Sequence, residues 1–147
     1  MWLLLSSVTA GIIIKWGILK LVAKTGQYYL VGFAGIRMSG TDDYSLISSL
    51  PVLEIVLILI PLLSFFTIFL YKRRRAQKIL TLVVIILALM LLTLEVFFAV
   101  TVPGNYNAVI MPGVRMILPA VILIFSVLAY RGIRKDENLI RSYERLR

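Results

Sequence analysis

The chain contains no cysteine and no histidine. The first absence excludes a disulfide framework, a cysteine-ligated metal and a thiol nucleophile; the second removes the commonest general base and metal ligand. Acids are scarce as well, with 7 against 16 lysines and arginines in 147 residues, for a formal charge of +9. With so few of the groups that catalysis and metal binding draw on, no catalytic residue, cofactor or metal is expected, and the chain reads as a non-enzyme.

What fills their place is apolar. Hydrophobic residues make up 61% of the chain and its mean hydropathy is +0.98, against about 45–50% apolar residues in soluble domains. A water-soluble fold of this length cannot hide that much apolar surface, whereas a bilayer accepts it if each segment satisfies its own backbone, as helices and closed barrels do. Barrel strands alternate apolar and polar residues over about ten positions. The runs here are continuous, so the expected class is an all-α membrane protein, a bundle of four transmembrane helices in one domain over 1–147.

The four runs are about 1–22, 52–71, 79–102 and 112–130. The first is interrupted by Lys15 and Lys20, so its uninterrupted part is short for a hydrocarbon core of about 30 Å. No basic segment precedes it and no Ala-x-Ala site follows, so it reads as a retained helix and not a signal peptide. Residues 25–50 turn to Gly, Ser, Asp and Tyr, with a strand-like Tyr28–Phe33 before a Ser39–Asp43 turn signal, which suits a loop with room for a short hairpin. Pro51 stands where a helix begins, Pro61 and Pro119 lie inside apolar runs as kink points, and Pro103-Gly104-Asn105 is expected to end the third helix.

The positive charge follows topology more closely than any nucleic-acid stripe, so no nucleic-acid partner is expected. Lys72, Arg73, Arg74, Arg75 and Lys78 fall between the second and third runs, and Arg131, Arg134, Lys135, Arg141, Arg145 and Arg147 follow the fourth, which puts eleven of the sixteen cations on one side. Short loops rich in Lys and Arg stay cytoplasmic. Both termini are therefore expected inside and the 25–50 and 103–112 loops outside. Trp16, Tyr28, Tyr29, Tyr71 and Tyr130 suit an interfacial aromatic belt. The tail reads either as a charged flank or as a helix on anionic lipid or a partner, with Glu137 and Arg141 four residues apart; Lys72, Arg73, Arg74, Arg75, Arg134, Lys135, Arg141 and Arg145 are the candidate contacts.

Ionisable groups inside apolar runs are costly and draw attention. Counting 1.5 Å per residue, Glu54 lies roughly 5 Å and Glu95 roughly 10 Å below the outer boundary. Arg115 comes to a similar depth and Lys15 lies at the outer end of the first run. The sharper reading is an intramembrane polar cluster of Glu54, Glu95, Arg115 and Lys15. The plainer one is acids that reach the headgroups or fix helix packing through an ion pair.

The tail Tyr130-Arg-Gly-Ile-Arg-Lys-Asp-Glu-Asn-Leu-Ile-Arg-Ser-Tyr-Glu-Arg-Leu-Arg147 is similar to the closing motif of a bacterial, Bacteroidota-type family of four-helix membrane proteins described only as a domain of unknown function. Trp2-Leu-Leu-Leu-Ser-Ser resembles that family's first helix, and Phe69-Leu-Tyr-Lys-Arg-Arg-Arg-Ala-Gln-Lys78 its basic loop. The resemblance covers essentially the whole chain. It implies an inner-membrane location and a start a few residues upstream of Met1, and it brings no activity or cofactor. Claudins and tetraspanins share the four-helix topology, but their paired outer-loop cysteines have no counterpart here. The function expected is that of an accessory or scaffold subunit contacting membrane lipids and another membrane protein or a second copy; the alternative is a small transporter, channel or lipid-binding protein using the outer Glu/Arg layer.

Overall fold

A computed structural model describes residues 1–23, 26–39, 44–70, 73–106 and 108–145, the side chains of 39, 44–48, 74, 106 and 139–145 excepted. Among the described residues there are four α-helices: α1 (Trp2–Trp16), α2 (Pro51–Phe69), α3 (Arg74–Tyr106) and α4 (Leu118–Arg145). Four strands, β1 (Leu19–Ala23), β2 (Tyr28–Gly32), β3 (Gly35–Ser39) and β4 (Tyr44–Ser48), lie between α1 and α2, and β5 (Ala108–Ile110) lies between α3 and α4. Helix α1 packs on α2 and α4, and α3 on the same two, so the helices close into a four-membered ring.

Each helix turns a heptad-spaced stripe inward. In α1 it is Leu3, Ser6, Ala10 and Ile13; in α2, Leu53, Leu57, Ile60, Ser64 and Thr67; in α3, Thr81, Val84, Ala88, Leu91, Glu95 and Val102; in α4, Pro119, Ile122, Ser126 and Ala129. Alternating steps of three and four residues are the geometry of left-handed bundle packing. The stripes are studded with small hydroxyl residues that let helices approach. Ser6 and Ser126 join α1 to α4 through a hydrogen bond of 3.3 Å, and the Ser7 hydroxyl donates to the Pro61 carbonyl on α2 at 3.4 Å. Thr67, Thr81 and Ser126 donate back to carbonyls four residues earlier, which satisfies them without a partner helix. Ser6→Ala is expected to lower the unfolding free energy in detergent by about 1 kcal/mol, the scale of one interhelical hydrogen bond, read from equilibrium unfolding of the purified variant.

The sheet has the order β4-β3-β2-β1-β5 and is antiparallel throughout. Register puts Leu19, Leu21, Ala23, Tyr29, Val31, Ile36 and Ala108 on one buried face, continuous with the helix core, and Lys20, Val22, Tyr28, Leu30, Arg37 and Val109 on the other. Period-two burial is what a strand with one covered face requires. The sheet joins the end of the bundle where α1 finishes and α4 begins. The opposite end carries Met1, the α2–α3 connection and the second half of α4, tied by a Lys78 Nζ to Glu137 Oε2 ion pair of 3.1 Å.

Several expectations need correction. The first helix ends at Trp16 and not near residue 22, because Gly17 adopts φ +76° and the following Leu19–Ala23 alternates in and out as a strand. The region expected as a loop with a short hairpin supplies three strands, β2 to β4, which continue a meander begun by β1 and extended by β5 from the 103–112 connection. The Ser39–Asp43 turn itself falls on 40–43, outside the described residues. Helix α3 runs through Pro103 to Tyr106: a proline in the last turn costs the Ala99 carbonyl its partner but need not break the preceding turns. Pro119 lies in the first turn of α4, where a missing N–H goes unnoticed, so it is no internal kink. Beyond Tyr130 the chain stays helical to Arg145.

Candidate functional site

Glu95 sits on the inward stripe of α3 with 5% of its surface exposed. It stands four residues after Leu91 and seven before Val102, both buried on that stripe. Its Oε1 is buried without a hydrogen-bond partner among the described residues, as is the Ser64 hydroxyl on α2. Glu54 is half-buried in the first turn of α2, where the unpaired amide groups of the helix start favour a carboxylate. Lys15, in the last turn of α1, is exposed and borders a cavity of about 70 Å³ that also includes Arg37.

Arg115 lies on the 3-10 turn Val114–Ile117 that leads into α4. It is half-buried, and its Nη1 is fully covered with no partner among the described residues. Among those residues no hydrogen bond or ion pair joins Glu54, Glu95, Arg115 and Lys15 to one another. The four are therefore not linked as a bonded cluster, and Lys15 and Arg115 border different cavities.

What Arg115 does share is a cleft of about 450 Å³ with Lys20, walled by Ile12 and Trp16 of α1, by Ile18, and by the segment from Met111 to Leu118. Lys20 is half-buried on β1, and its Nζ lies 4.5 Å from the centre of the Tyr28 ring. The Lys20 carbonyl accepts the Met111 amide at 2.9 Å, so the β1–β5 pairing brings the two basic residues together. Reading Lys20 as an interruption of the first helix hides this. The alternation Leu19-Lys20-Leu21-Val22-Ala23 is the signal that could have shown it.

Of the candidate basic contacts, Arg73, Arg75, Arg134 and Lys135 are exposed. Lys72 lies outside the described residues, and Arg74, Arg141 and Arg145 are placed on helices by backbone alone. Arg131, Arg134, Lys135 and Asn138 line a shallow depression of about 380 Å³ on one side of α4. Among the described residues, no three of His, Cys, Asp and Glu gather in a metal-binding group.

These features define a class: a helical bundle ended by a small antiparallel sheet, with three helices long and apolar enough to cross a membrane, Pro51–Phe69, Arg75–Asn105 and Val114–Asn138, and a shorter apolar helix, Trp2–Trp16. The family model described as a domain of unknown function, DUF4293, matches residues 1–146, and the chain belongs to that family. No curated protein and no solved structure matches it.

Proposed function

We propose that this chain is a non-catalytic, multi-pass protein of the bacterial inner membrane that serves as an accessory or scaffold subunit, its basic end in the cytoplasm and its sheet outside. The carrying observation is the polarity of the helix surfaces. Leu4, Val8, Ile55, Ile58, Leu62, Phe65, Phe66, Leu82, Ile86, Leu89, Val96 and Phe97 all point outward and are exposed, while the interior holds Ser6, Ser64, Thr67, Thr81, Glu95 and Ser126. Soluble monomers rarely leave contiguous apolar patches beyond a few hundred Å², whereas lipid accepts such a surface and small polar residues serve as helix contacts within it.

One feature supports the orientation. Met1, the basic α2–α3 connection and the charged half of α4 share one end, as an even number of crossings requires, and that end carries the Lys/Arg excess. Helices α3 and α4, of 33 and 28 residues, extend about 50 and 42 Å, beyond a hydrocarbon core of about 30 Å, and so reach past the lipid. Projecting helix ends at one side and a sheet at the other offer surfaces suited to contact with a partner.

The chain's lack of cysteine makes the topology directly measurable. In intact spheroplasts, Gln27→Cys at the sheet end is expected to react with a membrane-impermeant maleimide and Asn138→Cys to stay unlabelled until the membrane is opened; the reverse pattern refutes the orientation. Release of the protein by alkaline carbonate refutes membrane integration. Mild detergent extraction with mass spectrometry then tests the accessory role, for which stoichiometric co-purification with a larger membrane protein is the expected result.

A further inference from the structure

We infer that the cleft between the end of α1, strand β1 and the turn before α4 binds the phosphate of an anionic lipid, with Lys20 and Arg115 as the headgroup ligands. This rests on the membrane-spanning reading, which places the cleft at the level where the helices give way to the sheet. Its volume of about 450 Å³ falls in the range of small-ligand sites, about 300–1,000 Å³.

Three observations fix the ligand chemistry. The wall is amphiphilic, combining the apolar Ile12, Trp16 and Leu118 with Lys20 on β1 and Arg115 on the 3-10 turn before α4. None of the residues lining it is acidic, so the paired positive charges are uncompensated within the cleft. Arg115 Nη1 is withdrawn from solvent yet has no acceptor among the described residues, and Lys20 has no hydrogen-bond or ion-pair acceptor among them, only the face of Tyr28. A buried guanidinium nitrogen without an acceptor is costly, and its planar donors suit an oxyanion such as phosphate. An acyl chain attached to that anion lies against Ile12 and Leu118, which a free ion leaves uncovered.

The test uses the full chain purified in a neutral detergent, with phosphatidylglycerol, phosphatidylcholine and inorganic phosphate as probes, followed by thermal unfolding and native mass spectrometry. Phosphatidylglycerol is expected to raise the melting temperature and remain bound to the wild type, phosphatidylcholine to do neither, and Lys20→Gln and Arg115→Gln each to weaken phosphatidylglycerol binding about ten-fold. Met111→Trp, which fills the cleft without altering charge, is expected to weaken it similarly, and it keeps the inference testable should a charge variant fail to fold. Equal stabilisation by inorganic phosphate overturns the lipid assignment in favour of a free anion site. Unchanged phosphatidylglycerol binding by folded variants overturns the site itself. Carbonate extraction separates the two levels, since a chain that stays in the membrane but ignores phosphatidylglycerol refutes only this inference.

Discussion

Gly17→Ala is expected to destabilise the protein by about 3 kcal/mol, with equilibrium unfolding in detergent as the measurement. Gly17 ends α1 at φ +76° and ψ 176°, a region essentially confined to glycine, in which a residue with a Cβ is strained by about 1–3 kcal/mol. Its amide caps the helix through the Ile13 carbonyl at 2.8 Å, and the next amide, Ile18, donates to Val31 at 2.8 Å. The glycine is thus the hinge on which the chain leaves the helix and enters the sheet. A Cβ there would stand 2.7 Å from Leu30 Cδ2, 2.9 Å from the Val31 carbonyl oxygen and 3.3 Å from the Gly32 Cα. Leu30 can rotate away but the β2 backbone cannot, and overpacking of this kind adds about 1–3 kcal/mol. Gly11→Ala is the control: it lies within α1 with nothing within 4 Å of the added carbon, and is expected to stabilise by about 0.5–1 kcal/mol through helix propensity. Equal effects of the two substitutions would refute the close approach of α1 to β2.

Glu95→Leu is expected to raise stability by about 1–3 kcal/mol, the scale on which an unsatisfied buried polar group destabilises. Glu95 occupies a stripe position that Leu91 and Val102 fill with hydrocarbon, and its Oε1 has no partner among the described residues. Replacing buried ionic groups by well-packed apolar ones is often neutral or stabilising. The measurement is the unfolding midpoint of purified wild type and variant in the same detergent. A loss of stability would mean that the carboxylate is held by a group outside the described residues, a bound cation or water among them. Glu95→Gln keeps the shape and the burial and is expected to fall between the two.

Parts of this architecture are legible in the residues and parts are not, for identifiable reasons. The α2, α3 and α4 helices are plain because runs of about 20 apolar residues have few competing explanations. The inward position of Glu95 is not legible in the same way, because Leu89, Met90, Val96 and Phe97 are as apolar as Leu91 and Val102 yet are exposed. Helix ends are less legible: Pro103 signals a stop, yet it sits in a last turn that tolerates it. The α1–β1 boundary is the instructive miss. Residues 2–22 are apolar enough to continue one helix, and over five residues a half-buried strand and a helix segment look alike in composition. The sign of φ at Gly17, set by contact with β2, decides between them.

The sheet shows the same division. Each of its first four strands is local, but the fifth comes from a connection about 60 residues further on, and its pairing of Ala108 with Ala23 and Ile110 with Leu21 is a long-range event. That pairing moves Lys20 from an expected interruption in a helix to the wall of a cleft that Arg115 also lines. The residues themselves determined the apolar class, the basic end, the number of helices and the absence of thiol and imidazole chemistry, because these depend on composition and on periodicity within single segments. Only the tertiary structure decided which charges share a cleft and which stay apart, because Lys15 and Arg115 have similar sequence depths but border different cavities, and depth along a helix says nothing about the direction in which the packed neighbours leave room.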